Sequence, residues 1–236
     1  MKTRRFMNTM ASLLIAGASA CSEPRPLTTH ERWCFRVADK MQATLEQLEQ
    51  EREPVDHADL YFRLMSPPSD LTYLMGRTCT NLEPGGENTL FKTFLDVDDW
   101  FQRKSPSLPE LVAGYQELAV QARVNALWAH HHWDRPAVCV TLSAIIGAVQ
   151  PLEELKGPVP AGQAYSSLSA PPNDDLVDVF AVCLRANRAQ KEARVKAFSE
   201  AVARARSHFT PNKTLSVSEL RKAAEAMEAL KTVHQE

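Results

Sequence analysis

Five cysteines are the residues with the clearest potential for chemistry in this chain of 236 residues. In an oxidising compartment thiols pair as disulfides, whereas cytosolic thiols usually stay reduced. An odd count leaves one thiol for another role. The first cysteine differs from the rest because it ends an apolar N-terminal run, so we expect the other four to pair. The alternative is four buried free thiols, as in a cytosolic helical protein. The five are Cys21, Cys34, Cys79, Cys139 and Cys183.

The segment 130–134 is the one dense polar cluster with residue types that suit a metal ion. On a helix His130 and Asp134 lie one turn apart, which is a spacing that can hold zinc. Consecutive histidines point about 100° apart on a helix, so at most two of the three could share a site. The C-terminal end of a helix also favours histidine, because its dipole is negative there. We therefore expect no metal and no other cofactor, and keep His130 and Asp134 as the weaker candidate pair.

Residues 1–20 have the pattern of a secretory signal peptide. Three basic residues without an acidic one precede an uncharged, largely apolar stretch that ends in small residues, and export signals share this order. The stretch is too short and too rich in small residues for a comfortable membrane-spanning helix. We expect residues 1–20 to be removed and residues 21–28 to form a short polar tether.

The four residues 18–21, Ala-Ser-Ala-Cys, resemble a bacterial lipobox. In that motif the cysteine receives a diacylglycerol and becomes the new N-terminus, although the motif usually has Leu where this chain has Ala18. The resemblance implies a lipidated Cys21, and Ser22 after it resembles the outer-membrane sorting class. It therefore implies a periplasmic protein anchored to the outer membrane, which two or three acyl chains hold stably. The alternative is ordinary cleavage after the A-x-A site, which leaves Cys21 unmodified.

Composition excludes several classes of partner and gives little support to catalysis. Loss of the three basic residues of the leader leaves 24 Lys and Arg against 29 Asp and Glu, a net charge of about −5. An acidic chain does not favour nucleic-acid binding. The sequence contains no HExxH, GxSxG, SxxK or CxxC motif and no phosphate-binding glycine loop, although these mark common catalytic classes. We name no catalytic residue, and we expect a protein partner and a membrane contact through the N-terminal lipid.

Helical periodicity dominates the rest of the chain, and no segment shows sustained alternation of apolar and polar residues. Capping-box patterns begin at Thr28, Ser107 and Ser216, and such patterns mark helix N-termini. Prolines separate many of the periodic stretches. The pattern predicts an all-α helical bundle, with a loop between about 149 and 174. The expected helices span about 29–50, 57–65, 69–83, 88–103, 108–134, 137–149 and 174–209, and a final helix carries Val217 to Leu230.

An internal repeat is the most informative feature of the sequence. The spacing from Cys34 to Cys79 is one residue longer than that from Cys139 to Cys183. If the two stretches arose by tandem duplication, each copy pairs its own two cysteines. Among the three possible pairings, this singles out Cys34–Cys79 and Cys139–Cys183. It predicts two tandem units, 29–105 and 106–236, the second including a linking helix. Tyr61, Pro67, Pro68 and Asp70 precede their cysteine at the same distances as Tyr165, Pro171, Pro172 and Asp174.

The predicted plan resembles the small helical immunity proteins of Gram-negative bacteria, which lie in the periplasm and block a toxin delivered by a secretion system. The resemblance is one of architecture, covers no motif and assigns no residue. It implies a non-enzymatic protein whose acidic surface complements a basic site on a toxin. An outer-membrane accessory lipoprotein of a secretion or pilus system, similar to pilotins, is the first alternative. A cell-envelope enzyme of unrecognised plan is the second, and a deep cleft that holds convergent carboxylates or the pair His130 and Asp134 would favour it over binding.

Overall fold

A computed structural model describes residues 26–79, 89–103, 107–127 and 137–235. Within these ranges the chain forms eleven helices and one two-stranded sheet, so the predicted all-α class with two disulfides is confirmed. The strands β1 (Val159–Pro160) and β2 (Thr214–Leu215) pair antiparallel. The helices are α1 (Thr29–Gln50), α2 (His57–Arg63), α3 (Asp70–Cys79), α4 (Thr89–Arg103), α5 (Leu108–Leu127), α6 (Ala137–Ile146), α7 (Gln150–Glu154), α8 (Ala161–Ser166), α9 (Asp174–Cys183), α10 (Arg188–Arg206) and α11 (Val217–Gln235).

Capping boxes fix the start of three of the longest helices, as the sequence predicts. At α1 the Thr28 hydroxyl accepts from the backbone N–H of Glu31 at 3.2 Å, and the Glu31 carboxylate accepts from the N–H of Thr28 at 2.7 Å. The backbone N–H groups of Ser107 and Ser216 donate to the carboxylate three residues later at 2.8 Å, before α5 and α11. Each cap satisfies backbone donors that no helical carbonyl can reach.

The single helix predicted over 174–209 is wrong, because the chain forms two helices there. The backbone becomes extended at Leu184, where α9 ends. The next helix, α10, begins after Asn187, whose side chain accepts a hydrogen bond from the backbone N–H three residues later at 3.0 Å. The break turns α10 back against α9, where the Phe180 and Phe198 rings stack with centroids 4.2 Å apart. Tertiary packing of the apolar rings thus outweighs the high helix propensity of the segment.

The loop predicted between about 149 and 174 is also wrong in part, since α7, β1 and α8 lie within it. Leu152 and Tyr165 are fully buried and anchor these two short helices to the core. A helix of five or six residues is too short to show clear periodicity in a sequence rich in Pro, Gly and Ser. Packing therefore decides structure here that local pattern does not reveal.

The internal repeat is visible in three dimensions. The helices α3 and α9 both have ten residues, start at the matched aspartates and end at the matched cysteines. In each half a buried tyrosine of the preceding helix donates to the second proline carbonyl: Tyr61 to Pro68 at 2.7 Å, and Tyr165 to Pro172 at 3.4 Å. The two hydrogen bonds explain why tyrosine and the proline pair recur in register, because together they fix the turn into the disulfide-bearing helix.

The two halves have the same order of helices. We call residues 29–127 the N-half and residues 137–235 the C-half. In the N-half α5 packs on α1 and α4, while in the C-half α11 packs on α6, α7 and α10. The halves differ at their first helix: α1 is continuous, whereas the corresponding stretch is broken after Ile146 and resumes as α7 with Pro151 in its first turn.

The halves meet through the helices α2 and α8, which occupy equivalent positions. Ala58 and Gly162 each lie three residues before the repeated tyrosine, and they face each other across this contact. A Cβ atom on Gly162 would lie 2.9 Å from the backbone carbonyl carbon and oxygen of Ala58, so only glycine permits this approach. Beside it, the rings of Phe62 and Tyr165 pack edge to face with centroids 4.4 Å apart. The equivalent helices therefore pack against each other in one joint core.

Large aromatic residues fill this core. Trp33, Tyr115 and Phe94 of the N-half are buried, and Tyr115 donates to the Ser66 carbonyl at 3.1 Å. Burial raises the pKa of Tyr115 and of Tyr61 well above the usual value for tyrosine, because a phenolate would be desolvated there.

Among the described helices, none combines the length and the apolar character needed to cross a bilayer.

Candidate functional site

The structure confirms both predicted disulfides. Cys34 and Cys79 join α1 to α3 with Cα atoms 5.2 Å apart, and Cys139 and Cys183 join α6 to α9 with Cα atoms 5.3 Å apart. All four cysteines are buried. Each bridge thus links the first helix of a half to the helix that follows the proline pair, which is the pairing that the repeat predicts.

The other predicted site residues lie outside the described ranges. These are Cys21, the candidate for lipidation, and the pair His130 and Asp134, the weaker metal candidate. Across residues 26–79, 89–103, 107–127 and 137–235, no group of three or more His, Cys, Asp or Glu side chains is placed to hold a metal ion.

The groove between α7 and α11 combines an apolar floor with an acidic rim. We call it the α7–α11 groove, and its volume is about 640 Å³, which is within the range of small-molecule sites. Within the apolar floor Leu152 and Leu220 are buried, whereas Val217 is 54% exposed. The floor consists of Val149, Leu152, Leu155, Val217, Leu220 and Ala224, and the rim of Glu153, Arg221, Glu225 and Glu228.

The charges of this rim are available to a ligand. Glu153, Glu225 and Glu228 are exposed, and none of them pairs with a cation in the part of the chain that the structure describes. Arg221 supplies the single positive charge among the lining residues, so the rim carries a net negative charge. An apolar floor under unpaired carboxylates fits a segment with one apolar and one basic face.

The break between α6 and α7 leaves two short helices that both contact α11. The helix α7 begins after Val149 with Pro151 in its first turn, and proline is accepted there because that N–H has no helical partner. Gly147 in the break lies under the Lys231 side chain, whose Cδ would be 2.8 Å from an added Cβ. Thus α11 remains in contact with both α6 and α7, and Leu152 of α7 and the C-cap residue Leu155 line the groove.

A second groove lies between α9 and α10, with a volume of about 780 Å³. Its floor contains Val177, Ala181 and Val195, but its rim has both signs of charge. Arg188 and Glu192 on this rim form an ion pair at 3.1 Å. Since the charges largely cancel, this groove shows no electrostatic preference for one class of partner, and the α7–α11 groove is the better candidate.

A buried ion pair links the two halves. Lys40 of α1 contacts the fully buried Asp175 of α9 and lies 3.4 Å from Asp178, which also pairs with Arg36 at 3.3 Å. Burial lowers the pKa of Lys40, but the charges of Asp175 and Asp178 outweigh it and raise that pKa above its usual value. For Asp175 burial is the larger effect: it raises the pKa of this carboxyl group, although the charge of Lys40 acts to lower it. In the N-half the residue equivalent to Asp175 is the buried Leu71.

Sequence reasoning found neither the groove nor the ion pair. The groove depends on a short helix that the sequence does not reveal, and Lys40 and Asp175 are far apart in the chain. One signal was present for the ion pair: Asp175 stands where the repeat has Leu71, so a charged residue occupies a core position. A buried charge needs a partner of opposite sign, although the sequence does not say which lysine or arginine provides it.

Comparison with known proteins assigns no relatives. No family model, no curated protein and no solved structure matches the chain. Function is therefore inferred from the chain's own residues and geometry.

Proposed function

We propose that this chain is an exported, non-enzymatic binding protein that holds a basic, amphipathic segment of a partner protein in the α7–α11 groove. The observation that carries the proposal is the apolar floor of this groove beneath exposed, unpaired carboxylates. Burial of apolar side chains supplies affinity. The acidic rim accelerates encounter with a basic partner and discriminates against acidic ones.

The proposed location is the periplasm, with the chain anchored to the outer membrane through Cys21. Two disulfides within a chain are typical of proteins that fold in an oxidising compartment. The lipobox-like residues 18–21 and the odd number of cysteines support acylation of the remaining thiol. We propose that the partner is a secreted toxin, and that the chain acts as an immunity protein by covering a basic surface that the toxin needs.

A model peptide tests the groove directly. The probe is a synthetic helical peptide of leucine and lysine with one apolar and one cationic face, and its dissociation constant is measured by calorimetry. Reversal of two rim charges, E225K/E228K, is expected to weaken binding by about tenfold or more, because attraction becomes repulsion. The affinity of the wild-type protein is expected to fall as salt is added.

The matched control is D96K/E117K, which changes the net charge equally on exposed positions of α4 and α5 that do not line the α7–α11 groove. We expect the control to bind the peptide within about twofold of the wild-type protein. Equal weakening by both variants would show that only net charge matters and would contradict the proposed site. Absence of any binding by the wild-type protein would contradict the proposal as a whole.

A further inference from the structure

The N-half has a groove that corresponds to the α7–α11 groove. It lies between the C-terminal end of α1 and the first turns of α5, and we call it the α1–α5 groove. Its volume is about 460 Å³. Leu48, Leu108 and Val112 line it. Leu108 directly follows the capping serine of α5, and Val217 directly follows the capping serine of α11, so the two residues occupy equivalent positions in the two grooves. The repeat has therefore produced the same surface feature twice.

The lining of the α1–α5 groove also has more acidic than basic residues, but Arg52 offsets part of that negative charge and fewer of the carboxylates are unpaired. Glu49 is exposed and pairs with no cation within the described ranges. By contrast, Glu51 is engaged by Arg63 through both carboxylate oxygens, and a carboxylate oxygen of Glu53 accepts from the backbone N–H of Leu108 at 2.9 Å. A basic segment would thus meet a smaller groove with weaker net attraction than at the α7–α11 groove.

We infer that the protein has two sites for basic amphipathic segments, one in each half, and that the α1–α5 groove is the weaker. The inference rests on the proposed function and extends it, since the partner would carry two such segments and engage both grooves at once. The contact between α2 and α8 and the shared core keep the two halves in a fixed relation. A fixed relation between two sites raises the effective concentration of the second segment once the first is bound.

Calorimetry with the same leucine–lysine peptide tests the number of sites. The wild-type protein is expected to bind two peptides, the second several-fold more weakly. The variant E49K/V112K places two cations in the α1–α5 groove and is expected to leave one site with the affinity of the tighter one. The variant E225K/E228K is expected to leave only the weaker site.

The possible outcomes separate this inference from the proposed function. A single site that E225K/E228K weakens and E49K/V112K leaves unchanged would support the α7–α11 groove and overturn the second site. No binding to the wild-type protein would overturn both. If V112K destabilises the fold, E49K alone, which leaves the apolar floor intact, is expected to weaken the second site several-fold, and an unchanged second site would contradict the inference.

Discussion

Replacement of Cys34 and Cys79 by alanine is expected to lower the free energy of unfolding by about 4 kcal/mol. The bridge closes a loop of 45 residues, so its removal gives the unfolded chain conformations that the bridge forbids. Since single domains are stabilised by only about 5–15 kcal/mol in total, this loss is large. Urea denaturation followed by circular dichroism measures it.

The variant C139A/C183A is the matched comparison in the other half, because its bridge spans nearly the same length, 44 residues. We expect a similar loss, and we expect reduction of the wild-type protein to destabilise it more than either variant. A loss below about 1 kcal/mol in both variants would contradict the assignment of the bridges as the main crosslinks of the fold.

Replacement of Lys40 by methionine is expected to cost about 3–5 kcal/mol, because it leaves the fully buried Asp175 without its partner. The matched control is K40M/D175L, in which the C-half receives the leucine that the N-half has at the equivalent position, Leu71. The double variant is expected to recover most of the stability, since an apolar pair of suitable size replaces a buried ion pair at little cost.

The loss in K40M is expected to depend on pH. Without Lys40, burial holds the pKa of Asp175 above its value in the unfolded chain. A carboxyl group of this kind stabilises the fold below its unfolded pKa of about 4, and that contribution is lost as the pH rises through the folded pKa. K40M is therefore expected to be closest to wild-type stability in acid and furthest from it at neutral pH. Denaturation midpoints of K40M and of the double variant that coincide at neutral pH would contradict this account.

Much of the fold follows from local sequence signals. The capping patterns at Thr28, Ser107 and Ser216 locate the starts of α1, α5 and α11, because a serine or threonine hydroxyl followed by a glutamate satisfies the free N–H groups of a helix. The disulfide pairing follows from the repeat. Duplicated sequence folds into duplicated structure, so each half pairs its own two cysteines, Cys34 with Cys79 and Cys139 with Cys183.

The features missed by the sequence depend on contacts between distant residues. The break between α9 and α10 follows from the stacking of Phe180 on Phe198 rather than from a strong helix-breaking residue. The α7–α11 groove depends on the placement of a five-residue helix, which periodicity cannot detect. The close contact of α2 with α8 depends on Gly162 facing Ala58, and a single glycine in the sequence does not indicate what approaches it.

The proposed function requires that the chain is exported, that its four described cysteines are paired within the halves, and that Cys21 is acylated. Intact-mass spectrometry of the protein purified from the membrane fraction, before and after reduction, tests it most directly. We expect a chain that begins at Cys21, carries the mass of its acyl groups, and gains on reduction the hydrogens of two disulfides. A chain that retains Met1, carries no lipid and has five reduced thiols would contradict it.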